Sequence, residues 1–329
     1  MSLKLYPVLA CAFALCPVAA LADPPAPPTQ YVIISFDGAQ NVEQWQRSRT
    51  LAARTGAAFT YFLSCVYLLA PEHRRTYKAP GMKAGRSNVG LGTSVEKVAA
   101  RLDQIWLARS EGHDIASHAC GHFDGSKWSR ADWNKEFRSF RRILENAYTL
   151  NGIKGEPEGW KRFVDTEIRG FRAPYLSTDD ALYEALADSS YGYDVSGVSR
   201  GPAQPALEGN LVRFALPQIP EGPKGRPLIA MDYNMFVRHS GGFERDDEDA
   251  VFENRAFDAF KKAFETEYNG GRKPLELGFH FTLMNGGAYW RALERFAEEV
   301  CAKPGVACIS YRDYIARHAV LRAATNLGG

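Results

Sequence analysis

Beyond Val18 the chain has no apolar run near the ~20 residues that a membrane-spanning helix needs, so nothing later in it reads as a span. It carries little net charge, +2 from 40 basic and 38 acidic residues, and no basic stripe. A nucleic-acid footprint is therefore not expected. It has no linker-like stretch after Gln30 and no visible internal repeat. The rest of the chain, ~300 residues, reads as one domain with a sizeable core. Cysteine is sparse, six in 329 residues, and nothing in the sequence points to an oligomeric state.

What is present begins with a leader. Lys4 precedes an apolar stretch from Leu5 to Val18, and Ala20-Leu21-Ala22 fits a small-residue cleavage site. This predicts a signal peptide over residues 1–22, a mature start at Asp23, and export to the periplasm or the medium. Leu15 before Cys16 is not the small residue that lipid attachment requires. Residues 23–30 read as a Pro-rich tether and residues 31–329 as the folded unit. Cys11 and Cys16 leave with the leader, and four cysteines remain. An even count in an exported chain suggests disulfides. Cys301 and Cys308 flank the turn Pro304-Gly305 and can pair locally, which leaves Cys65 with Cys120.

Strand-like and helix-like segments alternate. Strands are expected over Tyr31–Asp37, Ala58–Ser64, Asp114–Ser117, Gly170–Tyr175, Pro227–Tyr233, Leu275–Thr282 and Val306–Tyr311. Apolar residues recur at helical spacing around Val95–Trp106, Trp133–Ile143, Phe252–Phe264 and Trp290–Val300. Their aromatic stripes read as core. Thr178 is expected to cap a helix. Tyr77–Gly92 and Ser199–Pro227 read as long loops that can wall a groove. Repeated βα units imply a parallel sheet, open or closed into a barrel.

Polar residues gather at the strand ends, where barrel folds place their chemistry. Asp37 closes the first strand. His118 and His122, four apart, can share one face of a helical turn and grip one metal ion. Cys120 between them points elsewhere and suits a disulfide. His113 suits a structural hydrogen bond. Arg172, before Ala173-Pro174, can clamp a carboxylate such as Asp37. His280 is a lone histidine in an apolar strand, and Asp232 closes another strand and can pair with it. Each has a plainer reading: a turn aspartate, surface histidines, a loop arginine, a satisfied core histidine. Their joint occurrence favours one site. Trp128 and Tyr289 are candidate stacking faces for sugar rings.

These elements together resemble the NodB-type polysaccharide deacetylases of carbohydrate esterase family 4, closest to the chitin deacetylase branch. Ile33-Ile34-Ser35-Phe36-Asp37-Gly38-Ala39-Gln40-Asn41 is similar to the first motif of that branch, T-F-D-D-A-x-N. Thr60–Ser64 is similar to its second strand. Gly112–His122 is similar to the histidine motif, and Arg172-Ala173-Pro174-Tyr175 and Phe279-His280 to the third and last motifs. The resemblance runs from Tyr31 to about Tyr314. It implies a single-domain, deformed (β/α) barrel that hydrolyses the acetamide C–N bond of an N-acetylated glycan, chitin-like or peptidoglycan-like. By the same resemblance Asp37 is the general base, His118 and His122 hold a divalent metal, typically zinc, and Arg172 orients Asp37. The Tyr175 backbone N–H helps bind the oxyanion, and His280 is the acid.

One position departs. The family's second aspartate is a metal ligand, and here it is Gly38. A catalytic zinc normally has three protein ligands, so weak metal binding is expected unless Asp124 or His239 reaches in. The departure keeps two alternatives open: a catalytically inactive carbohydrate-binding barrel, and a metal-independent hydrolase of a small amide.

Overall fold

The computed structural model describes Met1–Leu3 and Pro28–Thr325. The expected cleavage site, Asp23 and most of the tether lie outside the described residues. Among the described residues ten strands form the sheet: β1 (Gln30–Gly38), β2 (Thr60–Leu63), β3 (Asp114–Ser117), β4 (Gly170–Phe171), β5 (Tyr193–Ser199), β6 (Ala206–Glu208), β7 (Leu211–Glu221), β8 (Arg226–Ile229), β9 (Leu275–His280) and β10 (Val306–Cys308). From β1 through β5 to β7 the pairing is parallel, and β9 lies parallel along the other edge of β1. β6 and β8 pair antiparallel with β7. A parallel bridge from Met231 to Gly278, with the Gly278 N–H donating to the Ala230 carbonyl at 2.9 Å, brings the β8 end against β9. The sheet thus curls into a deformed (β/α) barrel.

Alternation along β1 sorts its residues by chemistry. Val32, Ile34 and Phe36 join the main core with helix residues such as Trp45, Leu51 and Trp290. Ile33, Ser35 and Asp37 face the other way, and Ile33 packs with Phe62, Val212, Phe214 and Tyr311 in a second core. The interior face of β1 is therefore apolar at its start and carboxylate at its end. The four expected aromatic stripes lie on helices Val95–Ser110, Arg130–Glu145, Asp249–Tyr268 and Ala288–Val300, with Trp133, Phe260 and Trp290 fully buried. No helix among the described residues is long and apolar enough to cross a membrane.

Several expected boundaries shift. Ser199–Pro227 is not a loop: β7 and its partners β6 and β8 occupy most of it. Leu211–Leu216 alternates as a strand should, but the surrounding Pro and Gly mask the signal. Gly170–Tyr175 stops at Phe171, because Pro174 starts a tight turn in which Tyr175 takes φ 60°. Asp232 does not close a strand; it opens the helix Asp232–Ser240, and β8 ends at Ile229. The last strand ends at Cys308, and Ser310 caps the helix Tyr311–Arg317. Asp179, not Thr178, caps the helix Asp180–Ala187, its carboxylate accepting from the Leu182 N–H at 2.8 Å.

Both expected disulfides are formed. Cys65–Cys120 spans Cα atoms 4.4 Å apart beyond the ends of the neighbouring strands β2 and β3, and Cys301–Cys308 spans 5.5 Å across its turn.

Candidate active site

The C-terminal ends of β1, β2, β3, β4 and β9 open on one cavity of about 600 Å³. Asp37, Gly38, His118, His122, Tyr175, Met231, Tyr233 and His280 line it. The loop after β1 is held from beneath. The Trp45 indole donates to the Ala39 carbonyl at 2.9 Å and the Arg101 guanidinium to the Gln40 carbonyl at 2.6 Å. Asn41 then caps the helix Val42–Thr55 by accepting from the N–H groups of Glu43 and Gln44.

Asp37, only 4% exposed, receives Arg172 Nη1 on Oδ1 at 2.7 Å. Arg172 is fully buried; its Nη2 donates to Ser35 Oγ at 2.9 Å and its Nε to the Val195 carbonyl at 3.3 Å. Its guanidinium carbon lies 4.3 Å from the Phe62 ring centroid. A planar fork locked on several sides is what orients a carboxylate. Burial works against the Asp37 charge, yet Arg172, with His118 and His280 behind it, holds the carboxyl below its ordinary range.

His118 donates Nδ1–H to the Arg172 carbonyl at 2.8 Å, which leaves Nε2 free, 4.0 Å from Asp37 Oδ2. Such a backbone tether is how ligating imidazoles are commonly oriented. His122 does not sit one helical turn on. The segment is a loop, with Ala119 and His122 both at φ 54°. The two rings nonetheless meet, centroids 5.0 Å apart, and the buried His122 Nδ1 has no hydrogen-bond partner. Burial pushes the His118 pKa down and that of His122 down to about 3, so both rings are neutral at ordinary pH. The loop is pinned by the Cys65–Cys120 bridge and by Glu136, which accepts from the Cys120 N–H at 2.9 Å and from Tyr77 Oη–H at 2.8 Å.

Asp232 and His280 form a second pair. His280 Nδ1–H donates to Asp232 Oδ1 at 2.7 Å and the His280 backbone N–H to Oδ2 at 2.8 Å, leaving Nε2 free. Burial alone lowers the imidazole pKa, but the Asp232 charge and hydrogen bond outweigh it and hold His280 above its ordinary value. The register sets His280 directly beside Asp37 on the neighbouring strand.

Tyr175 is 58% exposed at the rim, next to His122, with ring centroids 4.7 Å apart. Five of the seven non-glycine residues with positive φ among the described residues, Ala39, Ala119, His122, Tyr175 and Leu176, are in loops that carry the site. Unusual backbone of this kind concentrates where function constrains it.

The structure thus brings Asp37, His118, His122, Arg172, Tyr175, Asp232 and His280 to one place. It does not bring in Asp124, which turns to the Ser126 N–H, or His239, which bonds Glu221 and Tyr289. No group of three His, Cys, Asp or Glu able to hold a metal occurs among the described residues. Tyr289 is fully buried and cannot stack on a sugar; Tyr233, 54% exposed, is at the cavity instead. His113 is structural: Nδ1 accepts from the Phe59 N–H at 3.0 Å. Sequence reading missed Ser35, two residues before Asp37 and on its face. It also missed Asp194 and Ser196, where Ser196 Oγ accepts from the Ala173 N–H at 2.8 Å and so steadies the arginine turn.

No protein-family model matches the chain, and no curated protein does. Solved structures do. A protein from Pseudomonas aeruginosa PAO1 named as a polysaccharide deacetylase aligns over 90% of this chain and 96% of its own, at TM-score 0.54 and 15% identity. One from Mycobacterium smegmatis, named likewise, aligns over 93% and 95%, at TM-score 0.53 and 17% identity. The allantoinase Puue aligns over 93% and 96%, at TM-score 0.51 and 16% identity. At such identities the likeness is one of fold: the chain has the deformed barrel seen in proteins named as polysaccharide deacetylases and in an allantoinase.

Proposed function

We propose that the protein is a hydrolase that cleaves the acetamide C–N bond of an N-acetylated glycan and releases acetate. The observation that carries this reading is the meeting of two tuned pairs, Asp37–Arg172 and Asp232–His280, across one cavity. Asp37 is ionised and immobilised, which suits a general base that takes a proton from water. The water oxygen adds to the amide carbon. The Tyr175 N–H, in the turn after Pro174 that lines the cavity, would stabilise the oxyanion. His280, whose protonated form Asp232 favours, then gives its proton to the leaving nitrogen as the C–N bond breaks. The products are acetate and a free amine. Exposed Tyr175 and Tyr233 offer ring faces for sugars at the rim.

His118 and His122 are the residues that would hold a divalent ion, zinc by their donor type. The free His118 Nε2 and the unpartnered His122 ring nitrogen fit that role. Gly38 supplies no third donor, so the ion would be held weakly. When bound, it would polarise the scissile carbonyl and ease the deprotonation of water. The two disulfides fit an oxidising compartment, in keeping with export.

The incomplete donor set supports a second reading, metal-independent hydrolysis of a small amide on this scaffold, which the allantoinase likeness in fold does not oppose. Acetate release from N-acetylated chito-oligosaccharides, measured with added zinc and with chelator, separates the readings. We expect release that zinc stimulates and chelator suppresses. Release indifferent to chelator would favour the metal-independent reading. No release with zinc, together with retention on chitin, would leave a carbohydrate-binding barrel.

A further inference from the structure

A second carboxyl lies inside the barrel below the cavity, and the reaction above does not use it. Glu276 is on β9 in register with Ile33, below the level of Asp37 and His280, and is 1% exposed. Tyr311, at the start of the helix Tyr311–Arg317, closes this end of the barrel and packs on Phe214 at 4.8 Å between centroids. Its hydroxyl donates to Glu276 Oε2 at 2.9 Å and accepts from Arg172 Nη2 at 3.3 Å. An unbroken chain therefore runs from Glu276 through Tyr311 and Arg172 to Asp37.

We propose that Glu276, acting through Tyr311, is a positioning residue that fixes the far side of Arg172 so that its near side stays on Asp37. The proposal rests on the reading of Asp37 as the base. The titratable and charged groups facing Glu276 are Arg172 from the end of β4 and Tyr311 and Tyr314 from the helix below. The remaining neighbour that bonds it is the Ala215 backbone on β7. The interior thus offers one cation to two carboxyls. Burial pushes the Glu276 pKa up to about 8, so at neutral pH it is an uncharged acid and does not compete with Asp37 for Arg172. An ionised Glu276 would draw the guanidinium toward itself and loosen its hold on Asp37.

Three variants test this: Tyr311→Phe, Glu276→Leu and Glu276→Gln. Glutamine keeps an acceptor for Tyr311 and cannot ionise. At neutral pH we expect Tyr311→Phe and Glu276→Leu to lower kcat for acetate release roughly 10–100-fold, with KM within about twofold. Glu276→Gln should restore most of the rate. Tyr311→Phe removes only a hydroxyl and carries the test if the leucine variant does not fold. Unchanged kcat in Tyr311→Phe would overturn the proposal, as would a failure of glutamine to rescue. NMR of the Arg172 guanidinium N–H signals, in a His280→Gln background that removes the nearby titrating imidazole, needs no activity. Those signals should shift as pH rises through about 8, and the shift should vanish when Glu276→Gln is added. Its persistence would overturn the positioning role. If the wild type releases no acetate but the shift behaves as expected, it is the proposed reaction that falls, and not the coupling.

Discussion

At the scale of single residues, the site pushes two groups, already apart in their ordinary titration, further from each other. Arg172 holds Asp37 below the ordinary carboxylate range, while Asp232 holds His280 above the ordinary imidazole value. Pairs pushed apart in this way are what the proposed roles of Asp37 as base and His280 as acid require. The sign follows directly. The base is ready once pH exceeds the lowered Asp37 pKa, and the acid is ready until pH exceeds the raised His280 pKa. Activity should therefore form a plateau that begins below the ordinary carboxylate range and falls above the ordinary imidazole value. Asp232→Asn removes the charge that raises His280, so the alkaline fall should move to lower pH, and kcat should drop by about 10²-fold or more. A pH–rate profile of wild type and variant measures both. An alkaline limb that does not move would mean that His280 is not the acid.

At the scale of elements, the turn after β1 limits which residue at position 38 could supply a third ligand to the proposed metal site. Gly38 adopts φ 82°, a left-handed conformation that side chains rarely take, though an added Cβ would meet only Tyr67 Cε2, at 3.8 Å. Space is available and the backbone is the obstacle. Aspartate tolerates this region better than most residues. We expect Gly38→Asp to destabilise the fold by about 1 kcal/mol and to tighten zinc binding by more than about tenfold. His118→Ala should abolish zinc binding. Calorimetric titration with zinc and a thermal melt give both numbers. Unchanged zinc affinity in Gly38→Asp would show that the position is not a missing ligand. The histidine loop shows how an element can be read correctly in content and wrongly in form. The four-residue spacing suggested a helical turn, but the disulfide at Cys120 and the carboxylate of Glu136 bend the segment into a loop that still joins both rings.

At the scale of the whole molecule, the barrel interior stores protons. Burial pushes the Glu276 pKa up to about 8, against ~4.3 in an unfolded chain. A group whose folded pKa lies above its unfolded value contributes fully below the unfolded value, and its contribution is lost as pH rises through the folded one. Stability should thus decline between about pH 4 and pH 8 by a few kcal/mol on account of Glu276. Asp194, raised to about 6 by burial, adds to the lower part of that window. The difference between proteins is therefore the informative quantity. Urea midpoints across this range should fall less in Glu276→Gln than in wild type. Equal slopes would mean that Glu276 is not protonated inside the barrel.

Much of this was legible in the chain. The helix stripes follow from a 3.6-residue period and the Cys301–Cys308 pairing from cysteine spacing, because each depends on neighbours along the sequence, whereas Cys65–Cys120, 55 residues apart, followed only by elimination. The motif residues Asp37, His118, His122, Arg172 and His280 were each visible at a strand end. Asp232 was visible but misplaced, since a strand and the first turn of a helix look alike over a few residues. What only the tertiary structure decided is how these groups act on one another. Asp37 and Arg172 are far apart in the chain yet 2.7 Å apart in space. Glu276 is a single acid in an apolar strand, with no local signal of partners, and meets Tyr311 only because barrel closure drives both into the same interior. Side-chain periodicity is local and can be read in order. Burial, desolvation and ion pairing arise between distant segments, and they exist only once the sheet has curled.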